Sequence, residues 1–227
     1  MTRTEKTPVA RAALFLVALV LTPGILAAGE AEQEEAAVPY PLNRCLVADE
    51  PLSGEGALSH VYQGQELRFC CPSCLREFES APGRYLEKMR EAVIEDQRAI
   101  YPIDTCIVSG QKLGSMGPPV NLLYRNRLVR LCCEGCRNAF EAEPAGFIAK
   151  LNAAVIEKQR PDYPLRHCVI SGAELGSMGP PVDYVHQGRL VRFCCAGCVP
   201  AFEADPQAAL EKLQRASGNP PQEKEQP

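Results

Sequence analysis

Twelve cysteines in 227 residues carry the chemistry of this chain, and their spacing is regular. Three lone residues, Cys45, Cys106 and Cys168, are each followed, after 24 or 25 intervening residues, by a Cys-Cys-x-x-Cys triplet: Cys70/Cys71/Cys74, Cys132/Cys133/Cys136 and Cys194/Cys195/Cys198. The outer members of a triplet stand at i, i+4 and the last two at i, i+3, spacings that share one face of a helical turn. A helix N-terminus favours the thiolate, the form that ligates soft metals. A lone thiol facing such a triplet can therefore complete a metal site, three thiolates suiting trigonal Cu(I) and four suiting tetrahedral Zn(II).

The elements that must position these thiols follow from a repeat of about 62 residues. Tyr40-Pro41, Tyr101-Pro102 and Tyr163-Pro164 open three segments with the same landmarks in the same order, and Phe78, Phe140 and Phe202, then Pro82, Pro144 and Pro206, follow the triplets at a constant offset. Three copies of one unit fill the chain after its first 39 residues: residues 40–100, 101–162 and 163–216, with a tail at 217–227. A unit of about 60 residues buries too little surface to be more than marginal without a staple, and four cysteines supply one. The expected fold is small α+β: a metal-stapled module of knuckle, β-hairpin and helix, repeated three times.

Ala48-Asp49, Ser109-Gly110 and Ser171-Gly172 supply the tight turn after each lone cysteine. Gly64, Asn126 and Gln187-Gly188 mark hairpins whose second strands run into the triplets. A short helix is expected from Cys74 to Glu79, then a longer one opened by Pro82, Pro144 or Pro206, with Asp205 as a cap in the third copy. Leu86, Met89 and Val93, with Ile148, Leu151 and Val155, recur at helical spacing and read as core alongside the phenylalanines. The joints, 92–100 and 154–162, read as helix ends rather than Gly/Ser linkers, which predicts semi-rigid beads.

Composition narrows the function. The net charge is −4, and it becomes about −6 without the first 29 residues, which argues against a nucleic-acid partner. Residues 1–29 combine early cations with an apolar run broken by Thr22, Pro23 and Gly24, a pattern expected of a cleaved export signal. The protein is accordingly expected to be exported, periplasmic or extracellular, with no membrane attachment after processing. Residues 30–39 read as a disordered acidic linker.

Cys45 with Cys70-x-x-x-Cys74 and Phe78, and the same arrangement at Cys106/Cys132/Cys136/Phe140 and Cys168/Cys194/Cys198/Phe202, resembles the TRASH and YHS-type heavy-metal-binding modules. The resemblance spans nearly all of residues 40–213 and implies a treble-clef-like fold and a role in sensing, trafficking or resisting metals such as copper or zinc. Two features depart from that pattern: a slightly longer first gap, and an extra cysteine (Cys71, Cys133, Cys195) directly after the second ligand. Where a treble clef has a second knuckle thiol this chain has Ala48, Ser109 and Ser171, so a fourth thiol is either the extra cysteine or absent. All twelve cysteines are candidate ligands for Zn2+ or Cu+, up to one ion per copy. The lone thiol and the outer pair are expected to be obligatory and the middle thiol auxiliary.

His60, His167 and His186 share no repeated position and read as surface or turn residues. Met116 and Met178, in matching Gly-Ser-Met-Gly-Pro-Pro loops, read as packing. Two rivals remain. An exported chain with an even cysteine count suits a disulfide-stapled interaction scaffold, although adjacent and i, i+3 pairs are strained partners. A thioredoxin-like enzyme using Cys71-Pro-Ser-Cys74 and its counterparts needs a longer βαβ frame than a copy provides. Glu79, Glu141 and Glu203 recur without a partner base or nucleophile, and no catalytic set emerges. The reading is a non-enzymatic metal buffer, carrier or scaffold, with metal ions and possibly another metal-handling protein as partners.

Overall fold

Each copy builds three parts in the same order, and local chemistry explains each. The computed structural model describes residues 37–52 and 57–218; the expected export segment, most of the linker and the end of the tail lie outside the described residues. Among the described residues no helix is long and apolar enough to cross a membrane.

The knuckle comes first. Cys45 N–H donates to Glu50 O at 2.7 Å and Asp49 N–H to Cys45 O at 3.0 Å, a loop repeated at Cys106/Gln111/Gly110 and Cys168/Ala173/Gly172. So tight a reversal requires one residue at positive φ, and Asp49 (65°), Gly110 (73°) and Gly172 (73°) take it. Asp49 is anchored by Arg44 at 2.7 Å.

A two-stranded antiparallel hairpin follows: β1 (Leu58–Tyr62) with β2 (Gln65–Phe69), β3 (Val120–Tyr124) with β4 (Arg127–Leu131), and β5 (Val182–His186) with β6 (Arg189–Phe193). Each is closed by two residues at positive φ, Gln63-Gly64, Arg125-Asn126 and Gln187-Gly188, the primed turn that matches strand twist.

Then come two helices: α1 (Pro72–Ser80) and α2 (Pro82–Ala99), α3 (Gly135–Ala142) and α4 (Pro144–Gln159), and α5 (Val199–Ala204), preceded by a 3-10 turn at Ala196–Cys198, with α6 (Pro206–Ala216). The first helix starts at Pro72, ahead of the expected Cys74, because a proline at the first helical position forfeits no hydrogen bond. Asp205 occupies the N-cap position, but its side chain makes no capping bond. Ala81 and Glu143 take nearly the same backbone angles at that corner, so the following proline and the backbone set the break, not a capping side chain.

Each copy has its own apolar core, centred on Phe69 and Phe78, on Leu131 and Phe140, and on Phe193 and Phe202. Met89, Val93, Leu151 and Val155 are buried as expected, whereas Leu86 and Ile148 are only partly so.

The copies are nevertheless joined. Gln97, near the end of α2, is 4% exposed and clamps the next hairpin, donating to Asn126 O at 2.6 Å and accepting from Leu128 N at 2.9 Å. Gln159, 62 residues on, does the same to Gly188 O and Leu190 N, both at 2.8 Å. The first and third copies also share a polar cleft of about 90 Å3 lined by Arg44 and Asp96 on one side and Arg189 and Glu211 on the other.

Candidate metal centre

Knuckle, strand end and helix start each deliver one sulfur to a common point. The Sγ atoms of Cys45, Cys70 and Cys74 lie within 4.8 Å of one another, and so do those of Cys106, Cys132 and Cys136 and of Cys168, Cys194 and Cys198. Within each triad the strand and helix sulfurs are 3.7, 3.7 and 3.8 Å apart in chain order. Two sulfurs on one tetrahedral zinc, each about 2.3 Å from the ion, stand about 3.8 Å apart. The strand and helix sulfurs therefore already have the separation of two ligands on one ion, with the knuckle sulfur within 4.8 Å of both.

The setting is apolar on one side and polar at the knuckle. Cys45, Cys106 and Cys168 are almost fully buried and belong to the cores. Cys74, Cys132, Cys194 and Cys198 are buried too, while Cys70 and Cys136 are half-buried. Ser109 Oγ and Ser171 Oγ sit 3.3 Å from Cys132 Sγ and Cys194 Sγ, which brings a hydroxyl to the sulfur group of the second and third copies. In the first copy the equivalent residue offers only its backbone, Ala48 N–H donating to Cys45 Sγ at 3.4 Å. Lys88 donates to Leu46 O and Val47 O, both at 3.3 Å, and Lys212 to Val169 O at 2.9 Å, which places an ammonium beside the knuckle in the first and third copies. The second copy differs, with Lys150 lying over the Phe147 ring instead.

These surroundings divide the sulfurs by acidity. Burial pushes Cys106 and Cys168 up, but the hydroxyl and N–H groups of Ser109 and Ser171, with N–H groups of Cys132 and Val108 or Cys194 and Ile170, outweigh it and bring both thiols down to about 6. Cys45 is lowered as well, burial being outweighed by N–H groups of Cys70, Ala48 and Val47. Cys136 and Cys198 are pushed up to about 12, first by burial and then by donating to neighbouring sulfurs, and Cys74 moves the same way. In each copy the knuckle sulfur is thus made more acidic than an ordinary thiol and the helix sulfur less acidic.

The middle cysteines stand apart from the convergent groups. Cys71, Cys133 and Cys195 are half-buried and lie 3.5, 3.8 and 4.0 Å from the sulfurs of Cys74, Cys132 and Cys194, and each also interacts with the other outer sulfur of its triplet, Cys70, Cys136 or Cys198. No disulfide joins any of the twelve cysteines in the structure.

Two expectations are corrected. Met116 and Met178 are 63% and 65% exposed, so they do not pack; glycines at positive φ on both sides of each turn the loop outward. His186 is neither a surface nor a turn residue: it ends β5 edge-on to Phe202 at 5.2 Å, its Nε2 is buried without a partner, and burial pulls it down to about 4. No histidine joins a cysteine group among the described residues. The serine hydroxyls and Lys88 and Lys212 are the site features that spacing did not reveal. The shared Ser-Gly after two of the lone cysteines was the available signal for the former; nothing local marked the lysines, which reach the knuckle from 41 to 43 residues away. Compared with family models, curated proteins and solved structures, the chain matches none.

Proposed function

We propose that this protein is a three-site carrier or buffer of a soft metal ion, Cu(I) or Zn(II), binding one ion per copy. The observation that carries the reading is the threefold convergence of three sulfurs within 4.8 Å from three separate elements. The ligands are Cys45, Cys70 and Cys74, then Cys106, Cys132 and Cys136, then Cys168, Cys194 and Cys198. Ser109, Ser171 or water completes a tetrahedral ion, whereas Cu(I) needs no fourth donor. The module is a treble-clef-like unit of the TRASH and YHS type, and the protein works in an exported compartment without catalysis.

Titration of the reduced full chain with Zn(II) or Cu(I) under anaerobic conditions tests this. Three equivalents are expected to bind tightly, and metal should shield three thiols of each copy from alkylation. Failure of both metals to bind refutes it.

A second reading has its own support: the ligand cysteines belong to the apolar cores, as they would if the metal were a staple for an interaction scaffold. Chelation separates the two. A carrier releases metal and stays folded, while a stapled scaffold unfolds as metal leaves.

A further inference from the structure

We propose that Cys71, Cys133 and Cys195 are exchange ligands, through which the metal passes between each triad and an acceptor that itself presents cysteine sulfur. The inference rests on the metal-binding reading above. It assigns a task to the one thiol per copy that the convergent groups leave over.

Distance is the first argument. Cys71 Sγ is 3.5 Å from Cys74 Sγ, Cys133 Sγ is 3.8 Å from Cys132 Sγ, and Cys195 Sγ is 4.0 Å from Cys194 Sγ. These match the separation of about 3.8 Å between two sulfurs on one tetrahedral zinc ion. An ion can thus be held jointly by the middle sulfur and one triad sulfur without moving the backbone. A resident fourth ligand would instead close on all three sulfurs, and the middle thiol is not in the group that does.

Position is the second argument. The knuckle sulfur enters from the core side, whereas the middle cysteine opens onto solvent. The two residues after it are exposed in every copy: Pro72 and Ser73, Glu134 and Gly135, Ala196 and Gly197. Those neighbours differ between copies, yet the thiol keeps its place in all three. An incoming acceptor can therefore reach the metal along this edge and not through the core.

The exchange balances. As the middle sulfur binds the ion it gives up a proton, and the triad sulfur whose bond opens takes one. The acceptor thiol then binds, releasing its proton to the next sulfur displaced. The metal keeps its oxidation state, and thiol-for-thiol exchange consumes no net protons.

The test uses the reduced full chain and the Cys71→Ser/Cys133→Ser/Cys195→Ser variant, loaded with whichever of Zn(II) and Cu(I) fills one site per copy. Equilibrium binding is measured first, then the rate of transfer to a small dithiol. The variant is expected to keep three equivalents while its transfer slows about tenfold or more. Unchanged transfer overturns the proposal. So does loss of metal equivalents, which would make the middle thiol a resident ligand. If the wild type itself binds neither metal, the underlying reading fails in the first step, before transfer is measured.

Discussion

Replacing Gln97 by Met probes whether the copies act as separate beads or as a coupled array. Methionine fills nearly the same volume, so little cavity is left and the change reports on polar contacts. It orphans the Asn126 carbonyl and the Leu128 N–H, which Gln97 now satisfies at 2.6 and 2.9 Å. Leu128 is fully buried and Asn126 is 8% exposed, so water is a poor substitute for either. A buried backbone group without a partner costs about 1–3 kcal/mol, which gives about 2–6 kcal/mol for the pair. Gln159→Met removes the equivalent bonds from a half-buried joint, where water can take them over, and should cost only about 1–2 kcal/mol. Urea unfolding of the metal-saturated, reduced chain measures both through shifts of midpoint at constant slope. A Gln97→Met loss below about 1 kcal/mol, or one no larger than that of Gln159→Met, would refute the clamp.

Three further outcomes follow from the same geometry. Ser109→Ala and Ser171→Ala remove the hydroxyls that help hold Cys106 and Cys168 at about 6, so both thiols should become less acidic; alkylation rate against pH in metal-free protein reads this, and an unmoved profile counts against the hydroxyl's role. Protons compete with metal for the same sulfurs, and below about 6 each of these two knuckle thiols carries one more. Metal loading should therefore release more protons at about pH 5 than at about pH 7, as calorimetry in two buffers would show; equal release contradicts the assignment. Gly188→Ala meets both a positive φ of 83° and the Arg127 side chain, while Gly64→Ala meets only the φ of 76° with open space around it, so the former should lose more stability, by about 1–3 kcal/mol in total. Equal losses in thermal unfolding would show that the Arg127 contact is soft.

The parts of the site readable from sequence were those set by short spacing. Two residues at positive φ are needed to turn a hairpin, and Gly64, Asn126 and Gly188 advertised it. The knuckle was legible from Gly110 and Gly172, and the convergence of the outer triplet thiols from a strand running straight into a helix, which leaves Cys70, Cys132 and Cys194 at strand ends facing the helical Cys74, Cys136 and Cys198. What lies across the fold was not legible. Gln97 and Gln159 look like ordinary surface glutamines on a helix, because what buries them is the hairpin of the following copy. Met116 and Met178 misled because an apolar residue between glycines is ambiguous between plugging a core and projecting from a loop. His186 misled in the opposite sense, since a polar ring at a strand end was packed against Phe202 by the tertiary structure.

The metal and disulfide readings compete for the same atoms, and that competition is itself informative. Any disulfide that includes a triad cysteine takes at least one of the three sulfurs an ion requires, so a copy is either oxidised or able to hold metal in full. A metal that binds only the reduced form stabilises that form, by about 2.7 kcal/mol when its free concentration is a hundred times its dissociation constant. For a two-electron couple about 1.4 kcal/mol corresponds to about 30 mV, so the same occupancy raises the reduction potential of the couple by about 60 mV and makes the thiols that much harder to oxidise. Metal supply and redox poise thus set one equilibrium. The middle thiols lie close enough to enter it, Cys71 standing 3.5 Å from Cys74 in the first copy as an i, i+3 pair. In the other two copies the middle sulfur is closest to its immediate neighbour in sequence, at 3.8 and 4.0 Å, a pair whose ring is strained when closed. Every copy also keeps a non-adjacent pair inside its triad, Cys70/Cys74, Cys132/Cys136 and Cys194/Cys198, at 3.7 to 3.8 Å, so oxidation competes with metal for the same two sulfurs in all three.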